Sequence, residues 1–146
     1  MRWFALHLPN LPLDALGTAS PAAVLAQRRV LLADAAALQG GVQIGMSAAT
    51  ALSVLPAVRL RPRDAAQEAA LLQRLALALA RYTPTLVLQS DGVWMEVSRT
   101  QRLFGGARTL AQAVLATARD CGVSALNAAA APTATAAGLR ARLNAA

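Results

Sequence analysis

The carboxylates of this chain are Asp14, Asp34, Asp64, Glu68, Asp91, Glu96 and Asp120. Two-metal phosphoryl transfer is the most demanding chemistry they could carry out. It needs several carboxylates converging from neighbouring strands, because two divalent cations about 3.5–4 Å apart share oxygen ligands. Asp64 and Glu68 open a helical segment, where capping and the helix dipole account for both. Asp14 and Asp34 begin or flank helices, and Asp120 lies near a helix end. Only Asp91 and Glu96 fall on a central hairpin. Their odd spacing directs them to opposite faces of a regular strand. Asp91 alone, within Ser90-Asp91-Gly92, suits a tight turn. The carboxylates therefore form no complete catalytic or metal-binding constellation.

Other chemistries find less support. His7 is the single histidine, placed in an apolar N-terminal stretch, and it reads as a packed, hydrogen-bonded residue. Without a Cys pair or a second His, a zinc site is unsupported. Gly105-Gly106 lacks the Lys-Ser/Thr pair of a phosphate loop. No nucleophile elbow is present. The lone Cys121 excludes an internal disulfide and reads as a small buried residue.

Arginine is the more promising residue type. All 14 basic residues are Arg, and the net charge is +7. Arg59, Arg61 and Arg63 alternate, so an extended segment presents them on one face. Arg99 and Arg102 follow the central hairpin. Such rows suit salt-dependent contacts to a phosphate backbone. A solvated surface row accounts for them equally well.

The elements that must position these residues follow from pattern and punctuation. Trp3 to Leu8 reads as a buried strand, broken by Pro9 and Pro12. Ala22 to Ala26 and Arg29 to Ala33 form a hairpin around Gln27-Arg28. Ala35 to Gln39 is helical and stops at Gly40-Gly41. Ser47 caps a helix ending near Leu55, and Val58 to Leu60 is a short strand. Asp64 caps a long helix running to Tyr82. Thr85 to Gln89 and Val93 to Val97 are strands joined by Ser90-Asp91-Gly92. A helix from Thr109 to Arg119 ends at Gly122. Ser124 to Ala131 is a strand, and Thr133 to Asn144 is a closing helix.

This order is β-α-β-β-α-β with an insertion in the first crossover. It predicts an α+β, ferredoxin-like (split βαβ) sheet with helices on one face, plus a small α/β insertion from 11 to 62. The uncharged run from Ala35 to Val58 is long enough to span a bilayer. It is interrupted by Gln39, Gly40, Gly41, Gln43, Gly45 and Pro56, so no membrane segment is expected. The N-terminus lacks a signal-peptide core. A cytoplasmic protein is expected.

Several motifs in this order resemble the Y-family translesion DNA polymerases. Leu88-Gln89-Ser90-Asp91-Gly92-Val93-Trp94-Met95-Glu96-Val97-Ser98 is similar to that family's catalytic hairpin, which usually reads Ser-Ile-Asp-Glu-Ala and onward. Leu103-Phe104-Gly105-Gly106 also fits. Gly41-Val42-Gln43-Ile44-Gly45-Met46 resembles the Gly-Val-x-x-Gly-Met segment of the fingers. Gly122 to Leu139 resembles the later strand–turn–helix. The resemblance implies a palm from 1–10 and 63–146 and fingers from 11–62. The thumb and little finger are expected to be absent.

Departures from the family pattern fall at the ligand positions. The first metal-ligand Asp falls on His7. In the hairpin Asp91 matches and Gly92 replaces the Glu. The steric-gate aromatics fall near Leu11 and Pro12. The triphosphate-binding Tyr and Arg fall on Ala35 and Leu38, and the Asn-Lys pair falls on Thr133 and Ala134. The opening from Leu6 to Leu16 resembles the ImuB group of polymerase-like proteins from bacterial mutagenesis cassettes, which are regarded as non-catalytic.

That resemblance implies a non-enzyme with a degenerate site at His7, Asp91 and Gly92, no metal and no cofactor. It also implies an adaptor in DNA damage tolerance and SOS mutagenesis. Such an adaptor binds damaged or primer–template DNA, a sliding clamp, an ImuA-like RecA relative and a DnaE-type polymerase. Arg59, Arg61, Arg63, Arg99 and Arg102 are the expected DNA contacts. Two alternatives stay open. One is an active Y-family polymerase fragment using Mg²⁺ through Asp91 and Glu96. The other is a ferredoxin-like interaction domain unrelated to DNA.

Overall fold

The structure, a computed structural model, describes residues 2–143. Its elements run β1 (Trp3–His7), α1 (Leu11–Asp14), β2 (Ala22–Ala26), β3 (Arg29–Ala33), α2 (Ala35–Gln39), α3 (Ala48–Val54), β4 (Arg59–Pro62), α4 (Ala65–Leu79), β5 (Leu86–Gln89), β6 (Gly92–Glu96), α5 (Thr100–Leu103), α6 (Ala107–Asp120), β7 (Asn127–Ala131) and α7 (Ala134–Leu143). The α+β, ferredoxin-like pattern expected from the sequence is present, but helices do not lie on one face alone: α7 covers one face of the β1 sheet, and the other face is buried too. The chain divides into two compact units, Met1–Pro9 with Ala69–Ala146, and Asn10–Glu68.

The first unit holds a four-stranded sheet in the order β5-β6-β1-β7. β1 is antiparallel to both β6 and β7, with Ala5 opposite Trp94 on one side and Ala129 on the other. Alternation along β1 sends Ala5 and His7 to one face and Leu6 to the other. α7 covers the Ala5 face, where Ala5, Ala131, Ala137 and Ala141 are buried together, flanked by Trp3, Trp94, Ala129 and Ala136. These side chains are almost all methyl groups, so helix and sheet approach closely. A Cβ on Gly138 would overlap the Trp94 ring. On the opposite face Leu6, Val93 and Met95 are fully buried, as are Leu71, Leu75 and Leu79 of α4 and Leu110 and Val114 of α6. The Tyr82 hydroxyl meets the Thr117 hydroxyl at 2.9 Å and its ring stacks edge-on with Phe104.

The second unit is a three-stranded sheet ordered β3-β2-β4. β2 and β3 form a hairpin in which Gln27 and Arg28 both adopt left-handed φ, the conformation a two-residue turn needs. β4 runs parallel to β2 at the sheet edge. Asp34 fixes the geometry twice. One carboxylate oxygen accepts from the Ala37 amide to cap α2, and the other accepts from the Ala22 amide of β2. Ala23, Val30, Ala37, Val42, Ala51 and Val58 form the core.

Several boundaries differ from the sequence reading. β4 starts at Arg59 rather than Val58, because Val58 turns inward to the core. α4 ends at Leu79 rather than Tyr82, whose side chain is drawn to Thr117 instead. The short α5 was not anticipated, since Thr100–Leu103 carries no helical periodicity over so few residues. α7 begins at Ala134 with Thr133 as its cap, its hydroxyl accepting from the Ala136 amide. The expected end at Asn144 lies outside the described residues. Cys121 is half-buried rather than buried, because it occupies the C-cap of α6.

Candidate functional site

Asp91 occupies the turn between β5 and β6. Its carbonyl accepts from the Leu8 amide at 2.9 Å, so the hairpin end is tied to the end of β1. Its carboxylate faces Arg142 and His7. Arg142 of α7 donates from Nε to Oδ2 at 2.9 Å and from Nη2 to Oδ1 at 3.1 Å. His7 Nδ1 lies 3.2 Å from Oδ2. That nitrogen makes no aligned hydrogen bond, so the contact is one of proximity. The Arg142 guanidinium holds the Asp91 carboxyl below the usual carboxylate range, with His7 a smaller contributor. Asp91 in turn raises the Arg142 pKa. The guanidinium carbon also lies 5.8 Å from the centroid of the Trp94 ring, within cation–π range.

The expected opposite facing of Asp91 and Glu96 does not hold. β6 starts at Gly92, so Asp91 is a turn residue, and its carboxylate reaches His7, the register partner of Gly92. Trp94 and Glu96 share that face by alternation. Distance separates the two acids instead. Five residues of extended chain span roughly 16 Å. Glu96 lies at the far end of β6, where the Ser98 hydroxyl first and the Ser98 amide second, the latter donating at 2.8 Å, depress its pKa. The two-carboxylate ligand set is therefore not assembled.

Gly92 has a packing reason to be glycine. A Cβ there would overlap the Leu6 carbonyl oxygen across the β1–β6 pairing. No side chain, and so no carboxylate, fits position 92 on this backbone. Among the described residues no group of three or more His, Cys, Asp or Glu side chains could hold a metal ion. Catalytic magnesium prefers oxygen ligands in octahedral array. The hairpin offers one carboxylate, already engaged at both oxygens by a guanidinium, so its residues do not fit a divalent pair.

Arg142 was missed by the sequence reading. The available signal was its position four residues after Gly138 on a helix whose Ala137, Gly138 and Ala141 are buried. That places Arg142 on the sheet-facing edge of the helix.

The five arginines singled out from sequence fare differently. Arg59 and Arg61 are exposed on β4, and alternation puts them on one side; Arg61 Nη1 lies 3.4 Å from the Leu16 carbonyl. Arg63 leaves that row. It lies beyond the strand end and makes a two-point bond to Glu68, Nε to Oε2 at 2.8 Å and Nη2 to Oε1 at 2.9 Å. Glu68 is buried, so its role exceeds dipole compensation, which corrects the reading of that residue as a helix-end acid. Arg99 and Arg102 are exposed at the two ends of α5. No helix among the described residues is long and apolar enough to cross a membrane.

This fold is that of the palm and fingers of Y-family DNA polymerases. Over 98% of its length the chain matches the insertion ternary complex of Dbh DNA polymerase, with 18% identity and a TM-score of 0.70, covering 46% of that chain. It matches the post-insertion binary complex of the same polymerase over 98% of its length, with 17% identity, a TM-score of 0.72 and 46% of that chain covered. DinB from Sulfolobus solfataricus matches over 98% of the chain with 15% identity and a TM-score of 0.63, again with 46% covered. The chain thus spans less than half the length of these structures. The family model of the impB/mucB/samB family matches residues 8–142, and the chain belongs to that family. No curated protein matches it.

Membership corrects one expectation. The emptied ligand positions led to a non-enzyme reading, yet the matched structures are DNA polymerases, which are enzymes. His7 on β1 and Gly92 on β6 are two positions of this fold. They do not define the class of the protein.

Proposed function

We propose that this chain is the fingers-and-palm part of a Y-family polymerase-type protein that engages primer–template DNA during damage tolerance, in the cytoplasm. The observation that carries this reading is the family match over residues 8–142, which runs through both compact units and the Asp91 hairpin. In this proposal the unit of Met1–Pro9 with Ala69–Ala146 is the palm, and Asn10–Glu68 is the fingers. The net charge of +7 favours a polyanionic partner. Arg59, Arg61, Arg99 and Arg102, all exposed, are the assigned phosphate contacts. Arg63 is reassigned to a structural ion pair.

The likeness of Leu6 to Leu16 to the ImuB group supports a second part of the proposal. The protein docks with a sliding clamp, an ImuA-like RecA relative and a DnaE-type polymerase at SOS mutagenesis. Co-elution with each purified partner tests that part, and failure of all three removes it.

Filter binding to primer–template DNA across a salt series tests the DNA reading. Affinity should fall linearly on log–log axes. Arg59→Ala with Arg61→Ala should flatten the slope by about 2, near one unit per lost phosphate contact. Binding that ignores salt overturns the phosphate-contact assignment.

A further inference from the structure

We infer that Arg142 is a built-in cation for the palm hairpin: it holds the place at Asp91 that a divalent metal would need, and it excludes the metal while the ion pair stands. This goes beyond the proposed DNA role and does not depend on it.

Three features converge on this reading. First, the ion pair is two-pointed, at 2.9 and 3.1 Å, so both carboxylate oxygens are engaged. A planar guanidinium matches a carboxylate fork, and it stays charged at all accessible pH. The cation is therefore present at every pH at which Asp91 is ionised. Second, the guanidinium is held from behind. Trp94 lies 5.8 Å from its carbon, and α7 is drawn onto the sheet by Ala137, Gly138 and Ala141. Gly138 lets the helix ride against the same Trp94 ring. The cation is thus delivered by a packed helix end, not by a free arm.

Third, among the described residues no cluster of ligands stands at the hairpin to help a metal compete. Position 92 has no room for a side chain. His7, 3.2 Å from the same carboxylate, brings a nitrogen donor, which magnesium disfavours. Glu96 lies at the other end of β6. A metal would have to displace the guanidinium and then rely on a single carboxylate.

Tb³⁺, a hard oxygen-seeking ion whose emission is sensitised by a nearby indole, is a direct probe, because Trp94 stands beside the site. The titration uses the full chain in five forms: wild type, Arg142→Gln, Arg142→Lys, Arg142→Gln with Asp91→Asn, and Arg142→Gln with Trp94→Phe. Circular dichroism checks folding of each. Wild type should give no Asp91-dependent emission. Arg142→Gln should bind Tb³⁺ at least about tenfold more tightly, since the competing charge has gone. Arg142→Lys, with the charge kept but the fork lost, should fall between. Adding Asp91→Asn should abolish the gain, and adding Trp94→Phe should dim it.

Wild-type binding equal to that of Arg142→Gln overturns the inference. So does a folded Arg142→Gln that gains nothing. Should Arg142→Gln fail to fold, Arg142→Lys carries the same comparison. A second readout is independent of emission: Mn²⁺ should leave the Asp91 and Gly92 amide resonances of the wild type unbroadened. Broadening there would equally overturn it.

Discussion

Asp91 and Arg142, 51 positions apart in sequence, meet in a two-point ion pair that joins the β5–β6 turn to the last turn of α7. Both side chains are partly exposed, 33% and 44%, so the pair is screened and its coupling is modest. A double-mutant cycle of Asp91→Asn and Arg142→Met should give a coupling energy of about 1 kcal/mol in urea unfolding. A coupling indistinguishable from zero would reduce the pair to a surface contact.

The pH dependence of the same pair follows from its direction of shift. The Asp91 carboxyl is held below the ordinary carboxylate range in the folded chain. Its contribution to stability is complete above the unfolded pKa of about 3.9 and is lost as pH falls through the lower folded value. The gap in melting temperature between wild type and Asp91→Asn should therefore be constant above about pH 5 and close as pH drops below about 4. A gap that persists unchanged into acid would show that Asp91 is not ionically held. Glu96, also depressed, is common to both proteins and cancels.

Gly92→Ala should be severely destabilising, by about 3 kcal/mol or more, since the new methyl must push the Leu6 carbonyl out of the β1–β6 ladder. Gly92→Glu should be worse. Urea midpoints within error of the wild type would refute the packing account of this glycine.

Gly138→Ala tests the closeness of α7 to the sheet. Its methyl meets the edge of the Trp94 ring, a side chain that can shift a little. The expected cost is about 1–3 kcal/mol, with a change in near-ultraviolet circular dichroism as the indole moves. Stabilisation, the usual result of Gly→Ala inside a helix, would mean that the helix stands further off.

Arg63→Ala should unfold the chain more easily than Arg59→Ala. The first leaves Glu68 buried without its guanidinium, at a cost of about 2 kcal/mol. The second removes an exposed side chain, with an effect within about 0.5 kcal/mol. Adding Glu68→Leu to Arg63→Ala should recover most of the loss. Equal thermal stabilities of the two single variants would contradict this division of roles.

Much of the fold was legible because its signals are local. Gln27-Arg28 between two apolar runs gave the hairpin, Asp34 and Ser47 gave caps, and Ser90-Asp91-Gly92 gave the turn. The motif order then carried the family. The site was legible only in part. Asp91, His7 and Gly92 were picked out by comparison with a sequence pattern, but their use was not. Arg142 contributes through a contact between sequence-distant elements, and helical spacing gives its face but not its partner. Arg63 and Glu68 were read apart, one as a DNA contact and one as a helix-end acid, because burial decides that they pair. The reason for Gly92 was hidden too, since it depends on a carbonyl of another strand.

The seat of Gly92 has a consequence for redesign of the hairpin. A carboxylate cannot be introduced at position 92 by changing that residue alone, because the Leu6 carbonyl already fills the space its Cβ would take. Strand pairing at the end of β1 would have to loosen first, and only then could an acid be accepted. The backbone therefore decides which residue types this position accepts before any ligand chemistry is considered.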